Sequence, residues 1–184
     1  MSVEKYAKTA ASGLLVGFCH LRQARRPFHF SRIQLAADSA DGTVIEDLSS
    51  WLAARYDRSP NGVRDTFVRK NESALGALFF VAKADGAFDA KEKVVMRSFC
   101  ASQGLTDIAA QVLVVELIAS WVVPSRVAFG NDLRALLARD EHYRLEVLQH
   151  AQAIVAAGKS VREEETRALQ RMSRELKLPA EETP

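Results

Sequence analysis

The stretch Ala82-Lys-Ala-Asp-Gly-Ala-Phe-Asp-Ala-Lys-Glu92 forms a corner in the chain, and the segments on both sides are arranged around it. The apolar residues 75–81 predict a helix that enters the corner, and Gly86 stands where helices commonly end in a left-handed residue. Asp89 and Glu92 have the spacing of a capping box, in which the aspartate accepts from the first amides of a new helix and the glutamate reaches back. The stretch therefore predicts a helix, a tight turn and a second helix in immediate succession.

The three carboxylates of this corner, Asp85, Asp89 and Glu92, allow two interpretations. Carboxylate oxygens that converge at a helix junction suit Ca²⁺, Mg²⁺ or Mn²⁺, so the three acids are a candidate metal site. Three ligands are few, however, and the spacing lacks the alternating acids of an EF-hand loop. In the second interpretation Asp89 and Glu92 serve only as the capping box, and Asp85 accepts from backbone amides of the turn or meets the dipole of the new helix.

The corner has an echo late in the chain, because residues 155–165 align with residues 82–92 at a separation of 73. The aligned pairs are Phe88 with Val161, Glu92 with Glu165, Met96 with Leu169, and Phe99 with Met172. Gly158 and Arg162 stand where the first copy has two of its three acids. The sequence therefore predicts the same helix–turn–helix unit twice, with the acidic cluster only in the first copy.

The repeated corner resembles the TerB-like domain of tellurite-resistance proteins, which also occurs beside J-domains in membrane-associated co-chaperones. The resemblance covers about residues 70–178, and it is carried by Asp85, Gly86, Asp89 and Glu92. It implies a helical bundle of about six to seven helices and a non-catalytic stress-response or scaffold role. It also implies an acidic cluster that holds a divalent cation, and the loss of two acids from the second copy argues against a second metal site.

Before this helical part, residues 14–21 and 28–33 have the composition and alternation of two strands and predict an antiparallel hairpin. The hairpin resembles the second half of a WYL domain, the small β module of many bacterial regulators. Its Arg-x-Phe-x-x-x-Arg-Ile pattern is matched by Arg26, Phe28, Arg32 and Ile33. The Trp-Tyr-Leu that names the family would fall on Ser12, Gly13 and Leu14, so only the leucine is kept, and the match covers about 35 residues. We interpret the hairpin as a remnant of a WYL domain.

The hairpin is basic, since residues 20–32 contain no acid. Arg22, Arg26 and Arg32, interleaved with phenylalanines, are the candidate residues for binding nucleic acid or a nucleotide-like anion, which the WYL resemblance also implies. The alternative is that these arginines lie on a solvated face or pair with Glu46, Asp47 and Asp57. The incomplete sheet would leave an open edge, which predicts self-association or binding of another protein chain.

The whole chain of 184 residues is predicted to be mainly α, with a small α/β segment at residues 1–60 and an all-α domain at residues 61–184. The predicted helices outside the corner are 44–56, 63–69, a segment capped by Thr106 with Ile108 and Val112 facing inward, 126–139, 143–157 and 163–176. Asn71 or Ser73 is expected to cap the helix that enters the corner.

Composition and motifs narrow the classes of function. A net charge of +2 does not indicate a polyanion partner for the whole protein, and 48% hydrophobic residues are ordinary for a globular chain. The sequence has no phosphate-binding Gly-rich loop, Gly-x-Ser-x-Gly or His-Glu-x-x-His, so we expect no enzyme. There is neither an apolar signal core nor an apolar run of about 18 residues, which predicts a cytoplasmic protein without a transmembrane segment.

Overall fold

A computed structural model of the chain describes residues 14–84, 86–158 and 163–178. Within these residues there are seven α-helices and one two-stranded antiparallel sheet, so the protein is mainly α with a small N-terminal hairpin, as the sequence predicts. The chain divides into two compact units, residues 1–63 and 64–184. Asp85, one of the three predicted metal ligands, lies outside the described residues.

The first unit contains the hairpin, built from β1 (Leu14–Cys19) and β2 (Ala24–His29). A 3-10 helix, Phe30–Arg32, follows directly. The predicted second strand, residues 28–33, is therefore wrong in its bounds by about four residues. The reason is the turn: Gln23 takes a left-handed φ of 48° and its side-chain amide donates to the carbonyl of His20 at 2.7 Å, so the chain reverses early.

After the hairpin, the first unit makes one more turn and one helix, α1 (Leu48–Asp57). Gly42, with φ +76°, closes the turn predicted from Asp41-Gly42, and the Ile45 amide donates to the carbonyl of Ala36 at 2.8 Å. The helix begins four residues later than predicted because the residues up to Ile45 are used in this pairing. Asp47 then caps α1 by accepting from the Ser50 amide at 3.0 Å.

Six helices make up the all-α part, and their ends follow local capping chemistry. They are α2 (Pro60–Ala82), α3 (Ala90–Ser102), α4 (Ile108–Ala119), α5 (Arg126–Leu136), α6 (Glu141–Ala157) and α7 (Glu163–Glu175). The cap of α4 is Asp107, which accepts from the Ala110 amide at 2.8 Å, so the prediction of Thr106 is wrong by one residue. Ile108, predicted to face inward, is 73% exposed, because the buried stripe of α4 begins at Ala110.

The break predicted at Asn71 is a kink inside a continuous α2. Asn71 has a non-helical φ of −118° and ψ of 17°, and its side chain is buried. Its Nδ2 donates back to the carbonyl of Phe67 at 3.0 Å, and its Oδ1 accepts from the Tyr143 hydroxyl at 2.8 Å. Both polar ends of the buried amide are thus satisfied, which fixes the kink to the first turn of α6.

The packing of the all-α part is centred on α6 and on the two helices that contact it, α3 and α7. Helix α3 packs against α4 and α6, and α7 packs against α5 and α6. The largest side chains buried in this part, among the described residues, are Phe79, Phe99, Phe129, Leu75, Leu78, Met96, Ile118, Leu133, Leu136, Ile154 and Met172. Both helical pairs that the sequence alignment relates, α2–α3 and α6–α7, contribute fully buried side chains.

Candidate functional site

The acidic corner has the geometry of a capping box. The Oδ1 atom of Asp89 accepts from the amides of Lys91 at 2.8 Å and Glu92 at 3.1 Å. In return, Oε2 of Glu92 accepts from the Asp89 amide at 2.6 Å. Glu92 is 3% exposed, which is unusual for a glutamate and is compensated by this charge-assisted hydrogen bond. The predicted capping box is confirmed.

The hydrogen bonds of the capping box use carboxylate oxygens that the candidate metal site would also need. Among the described residues, no three His, Cys, Asp or Glu side chains are grouped so that they could hold a metal ion. Asp89 and Glu92 each use one carboxylate oxygen for the cap. These two acids alone do not make a cation site, and a divalent cation here depends on Asp85, which lies outside the described residues. The metal site stays a prediction.

The predicted repeat is present in the backbone of α3 and α7. Both helices have 13 residues, and each bound of α7 is 73 residues after the matching bound of α3. The hydrogen bonds that end the two helices match as well. After α3, the amides of Gln103, Gly104 and Leu105 donate to the carbonyls of Phe99, Ala101 and Cys100, in that order. After α7, the amides of Leu176, Lys177 and Leu178 donate to the carbonyls of Met172, Arg174 and Ser173, each 73 residues later. This pattern, with a left-handed residue after the helix, closes both helices in the same way.

Burial follows the same repeat. Glu165, the counterpart of Glu92, is 1% exposed, so both copies bury a glutamate in the first turn of their second helix. Five pairs of positions are buried in both entering helices: Ala74 and Val147, Leu75 and Leu148, Leu78 and Ala151, Val81 and Ile154, and Ala82 and Val155. The residues 159–162, where the second copy would have its cap, are outside the described part of the chain.

The three candidate arginines of the hairpin lie on three different elements. Arg22 is in the turn, Arg26 is in β2 opposite Gly17, and Arg32 is the last residue of the 3-10 helix; all three are exposed. Of the acids considered as alternative partners, Asp47 caps α1 instead. Accepting from the hydroxyl and amide of Ser50 lowers the pKa of Asp47.

A groove that the sequence did not indicate lies between the end of α2, the start of α5 and one face of α7. Its volume is about 500 Å³, which is in the range of small-ligand sites. We call it the Arg171 groove, and its described lining residues are Phe80, Ala84, Pro124, Arg126, Phe129, Glu164, Arg167, Ala168 and Arg171. The only sequence signal for it is the spacing of Arg167 and Arg171, which places both on one face of α7.

Arg171 is held firmly at the side of this groove. Its Nε donates to Oε1 of Glu175 at 2.6 Å, and its Nη1 donates to the backbone carbonyl of Arg126 at 3.1 Å. The guanidinium carbon lies 5.3 Å from the ring centre of Phe129. A Cβ atom on Gly130 would come within 2.5 Å of Nη2, so this glycine leaves the space that the guanidinium occupies.

Two further titratable groups have shifted pKa values. Asp132 of α5 lies against Gly76 of α2, where a Cβ atom would meet Oδ2 at 2.6 Å. Burial, and then the charge of Glu72, raises the pKa of Asp132 to about 6.

Burial raises the pKa of the Cys100 thiol to about 12, so this cysteine is a thiol, and not the reactive thiolate, at neutral pH.

Comparison with protein-family models, with curated proteins and with solved structures finds no match for the chain. The resemblances to TerB-like and WYL domains therefore rest on the residues quoted above. In the part of the chain that is described, none of the helices is both long and apolar enough to cross a lipid bilayer.

Proposed function

We propose that the protein is a non-catalytic TerB-like scaffold in which two equivalent helical pairs form a rigid body. The observation that supports this proposal is the repeat of hydrogen bonds and buried positions at a separation of 73 residues. In the first pair, Asp89 and Glu92, two of the three candidate acids, act in the capping box and so stabilise the corner. A role in stress response follows from the TerB-like resemblance alone.

The proposed scaffold binds another chain through the open edge of the hairpin, and a second copy of this protein is the simplest partner. Among the described residues, the sheet has only two strands, so each strand has one edge without a neighbour. Pro27 removes one amide donor from β2, whereas β1 contains no proline. The edge of β1 is therefore the more complete surface for pairing.

Sedimentation velocity over a range of protein concentrations tests this binding mode. Phe18→Lys places a charge on β1 and should shift a dimer to monomer. Leu21→Lys is the matched control, because Leu21 is 92% exposed in the turn and outside both strands, and it should leave the dimer intact. A wild-type protein that sediments as a monomer at every concentration would rule out self-association.

A divalent cation at Asp85, Asp89 and Glu92 is the second part of the proposal. Asp85→Asn and Asp89→Asn each remove one charge, and asparagine at position 89 can still cap α3. Calorimetric titration with Ca²⁺, Mg²⁺ and Mn²⁺ should give binding heat for the wild type and much weaker binding for both variants. Asp107→Asn at the cap of α4 is the control and should bind like the wild type. No heat with any of the three ions at millimolar concentration would remove the cation from the proposal.

The alternative function is nucleic-acid binding by the basic hairpin, and the exposure of its side chains favours it. Arg22, Arg26 and Arg32 are exposed, and Phe18 beside them is 49% exposed and could stack on a base. Fluorescence anisotropy with single-stranded RNA and DNA should show an affinity that falls steeply with salt. Replacing all three arginines by alanine should abolish binding. The matched control replaces the exposed Arg69, Arg134 and Arg174; if it loses as much affinity, the hairpin is not the site.

A further inference from the structure

We propose that the Arg171 groove binds a small organic anion, a carboxylate that carries an aromatic or other apolar body. Among the described residues, the lining of the groove includes Ala84 of the corner stretch but neither Asp89 nor Glu92. The proposal does not depend on the scaffold role proposed above. Three features of the described residues support it: an apolar floor, guanidinium donors at its sides, and arginines at two positions where the repeated architecture does not require them.

The floor of the groove is aromatic. The rings of Phe80 and Phe129 stack with their centres 4.2 Å apart and an interplanar angle of 12°. Phe129 is fully buried, whereas Phe80 is only partly buried and lines the groove. An apolar body placed against Phe80 would gain the free energy of removing both surfaces from water.

Arginines stand at the sides of the groove. Arg126, Arg167 and Arg171 line it, Glu164 is the one acid among its described lining residues, and Glu175 is the ion-pair partner of Arg171. Arg167 pairs with the exposed Glu163 of the same helix, an arrangement that stabilises little and that a stronger ligand can replace. In the described part of the chain, neither Nη2 of Arg171 nor the guanidinium of Arg126 makes a hydrogen bond. Donors therefore remain for a carboxylate.

The repeat shows that arginine is not required at the positions of Arg167 and Arg171 to build the second helix of a pair. In the first pair, the positions equivalent to Arg167 and Arg171 are occupied by Val94 and Ser98, which cannot bind an anion in this way. Both copies nevertheless close their helices with the same hydrogen bonds. The arginine face is thus an addition to the second copy, as expected for a binding function.

Arg171 is also prepared for binding before a ligand arrives. Its contacts with Glu175, with the Arg126 carbonyl and with the Phe129 ring fix the guanidinium beside the floor. A side chain that is already ordered loses little conformational entropy when a ligand binds. This geometry favours a ligand that places its carboxylate next to its apolar part.

The test is calorimetric titration of the full chain with 1-naphthoate, and with 1-naphthalenemethanol as a neutral compound of similar shape. Naphthoate should bind at least tenfold more tightly than the alcohol. Arg171→Gln should lower the affinity for naphthoate by tenfold or more and change the affinity for the alcohol by less than twofold. Arg174→Gln removes a charge from the same helix outside the groove, and it should stay within twofold of the wild type.

Two more variants separate the groove from indirect effects. Arg171→Gln together with Glu175→Gln leaves no unpaired glutamate and should bind naphthoate as weakly as the single variant. Gly130→Ala keeps every charge but displaces the Arg171 guanidinium, so it should lower the affinity for naphthoate several-fold. Circular dichroism of each variant should match that of the wild type.

Four results would overturn the proposal: equal binding of naphthoate and the alcohol, equal loss in Arg171→Gln and Arg174→Gln, restored affinity in the double variant, or no binding at millimolar naphthoate. Displacement of naphthoate by inorganic phosphate at constant ionic strength would also contradict it, since phosphate has no apolar body. If a glutamate-rich peptide bound tenfold more tightly with the same dependence on Arg171, the groove would be a peptide site and the small-ligand proposal would be wrong.

Discussion

Helices α3 and α7, the second members of the two related helical pairs, have the same length and the same C-terminal hydrogen bonds but carry different side chains. Both second helices end with the same three hydrogen bonds, and both are followed by a left-handed residue. In the first copy that residue is Gly104, and in the second it is Lys177. Backbone hydrogen bonds and buried side chains therefore define the common structure of α3 and α7. That structure accepts Lys177 in a strained left-handed conformation, where the first copy has glycine.

The outer faces of the two copies differ more than their cores do. The first copy has the acidic corner with its complete capping box, and the second has the arginines of the Arg171 groove. The buried positions, in contrast, are retained in pairs along both helices. The buried positions are therefore shared by the two copies, whereas the charged side chains proposed to bind ligands differ between them. The following predictions test that division.

The largest effect is expected in the core position shared by α3 and α7. Phe99 and Met172 are equivalent and fully buried. Phe99→Ala should lower the free energy of unfolding by about 3–5 kcal/mol and Met172→Ala by about 2–5 kcal/mol, because each leaves a cavity. Urea denaturation of the two variants measures both values. A loss of less than about 1 kcal/mol for either variant would show that its copy is not built around this position.

The next effect concerns the two buried glutamates. Glu92→Ala removes half of the capping box and leaves the Asp89 amide without its acceptor, so we expect a loss of about 1–2 kcal/mol. Glu165→Ala should lose a similar amount, because Glu165 occupies the same buried position in α7. Thermal and urea unfolding would compare them with Glu164→Ala, an exposed neighbour. If Glu165→Ala behaved like that control, the second copy would lack the capping function of the first.

A smaller and opposite pair of effects is expected at the helix ends. Gly104→Ala forces a Cβ atom into a φ of +85° and should destabilise the protein by about 1 kcal/mol. Lys177→Gly relieves the same strain at φ +55° and should stabilise it by about 0.5 kcal/mol. Differential scanning calorimetry of the two variants and the wild type gives the signs. The same sign for both changes would contradict the equivalence of the two ends.

The last predicted effect depends on pH, is comparable in size to that of Gly104→Ala, and involves the contact of α5 with the first copy. Asp132 packs on Gly76, whose counterpart in α6 is the exposed Gln149. The raised pKa of Asp132 means that the folded state binds its proton more tightly than the unfolded chain does. Its contribution to stability is therefore complete below about pH 3.8 and is lost as the pH rises through about 6.

Asp132→Asn cannot ionise, so it should be more stable than the wild type at pH 7.5 by about 1 kcal/mol, a value reduced for solvent screening of this half-buried group. The difference should vanish near pH 4. Urea unfolding at both pH values measures it, with Asp107→Asn as the control for removing one negative charge. A stabilisation that is equal at pH 4 and pH 7.5 would show that ionisation of Asp132 is not its cause.

Local chemistry explains which parts of the fold the sequence could predict. The capping box of Asp89 and Glu92 and the turn at Gly42 involve residues close in the chain, and both are present as predicted. Errors arose where two neighbours could play the same role. Thr106 and Asp107 are both good caps, and the choice between them is made by where the buried face of α4 lies.

The candidate sites were less predictable for a different reason. The Arg171 groove joins Phe80, Phe129 and Arg171, which are distant in sequence and come together only through the packing of three helices. No local pattern carries that information. The hairpin arginines were a cluster in sequence, but the turn, strand and 3-10 helix distribute them over separate elements.

The central claim, that α3 and α7 are two copies of one helical unit, is tested most directly by amide hydrogen exchange at the two helix ends. The Leu105 amide donates to the Cys100 carbonyl at 3.0 Å, and the Leu178 amide donates to the Ser173 carbonyl at 3.2 Å. Both leucines are buried. NMR-detected exchange should show both amides protected well above the rate of an unfolded chain. Protection of Leu105 together with free exchange of Leu178 would contradict the claim.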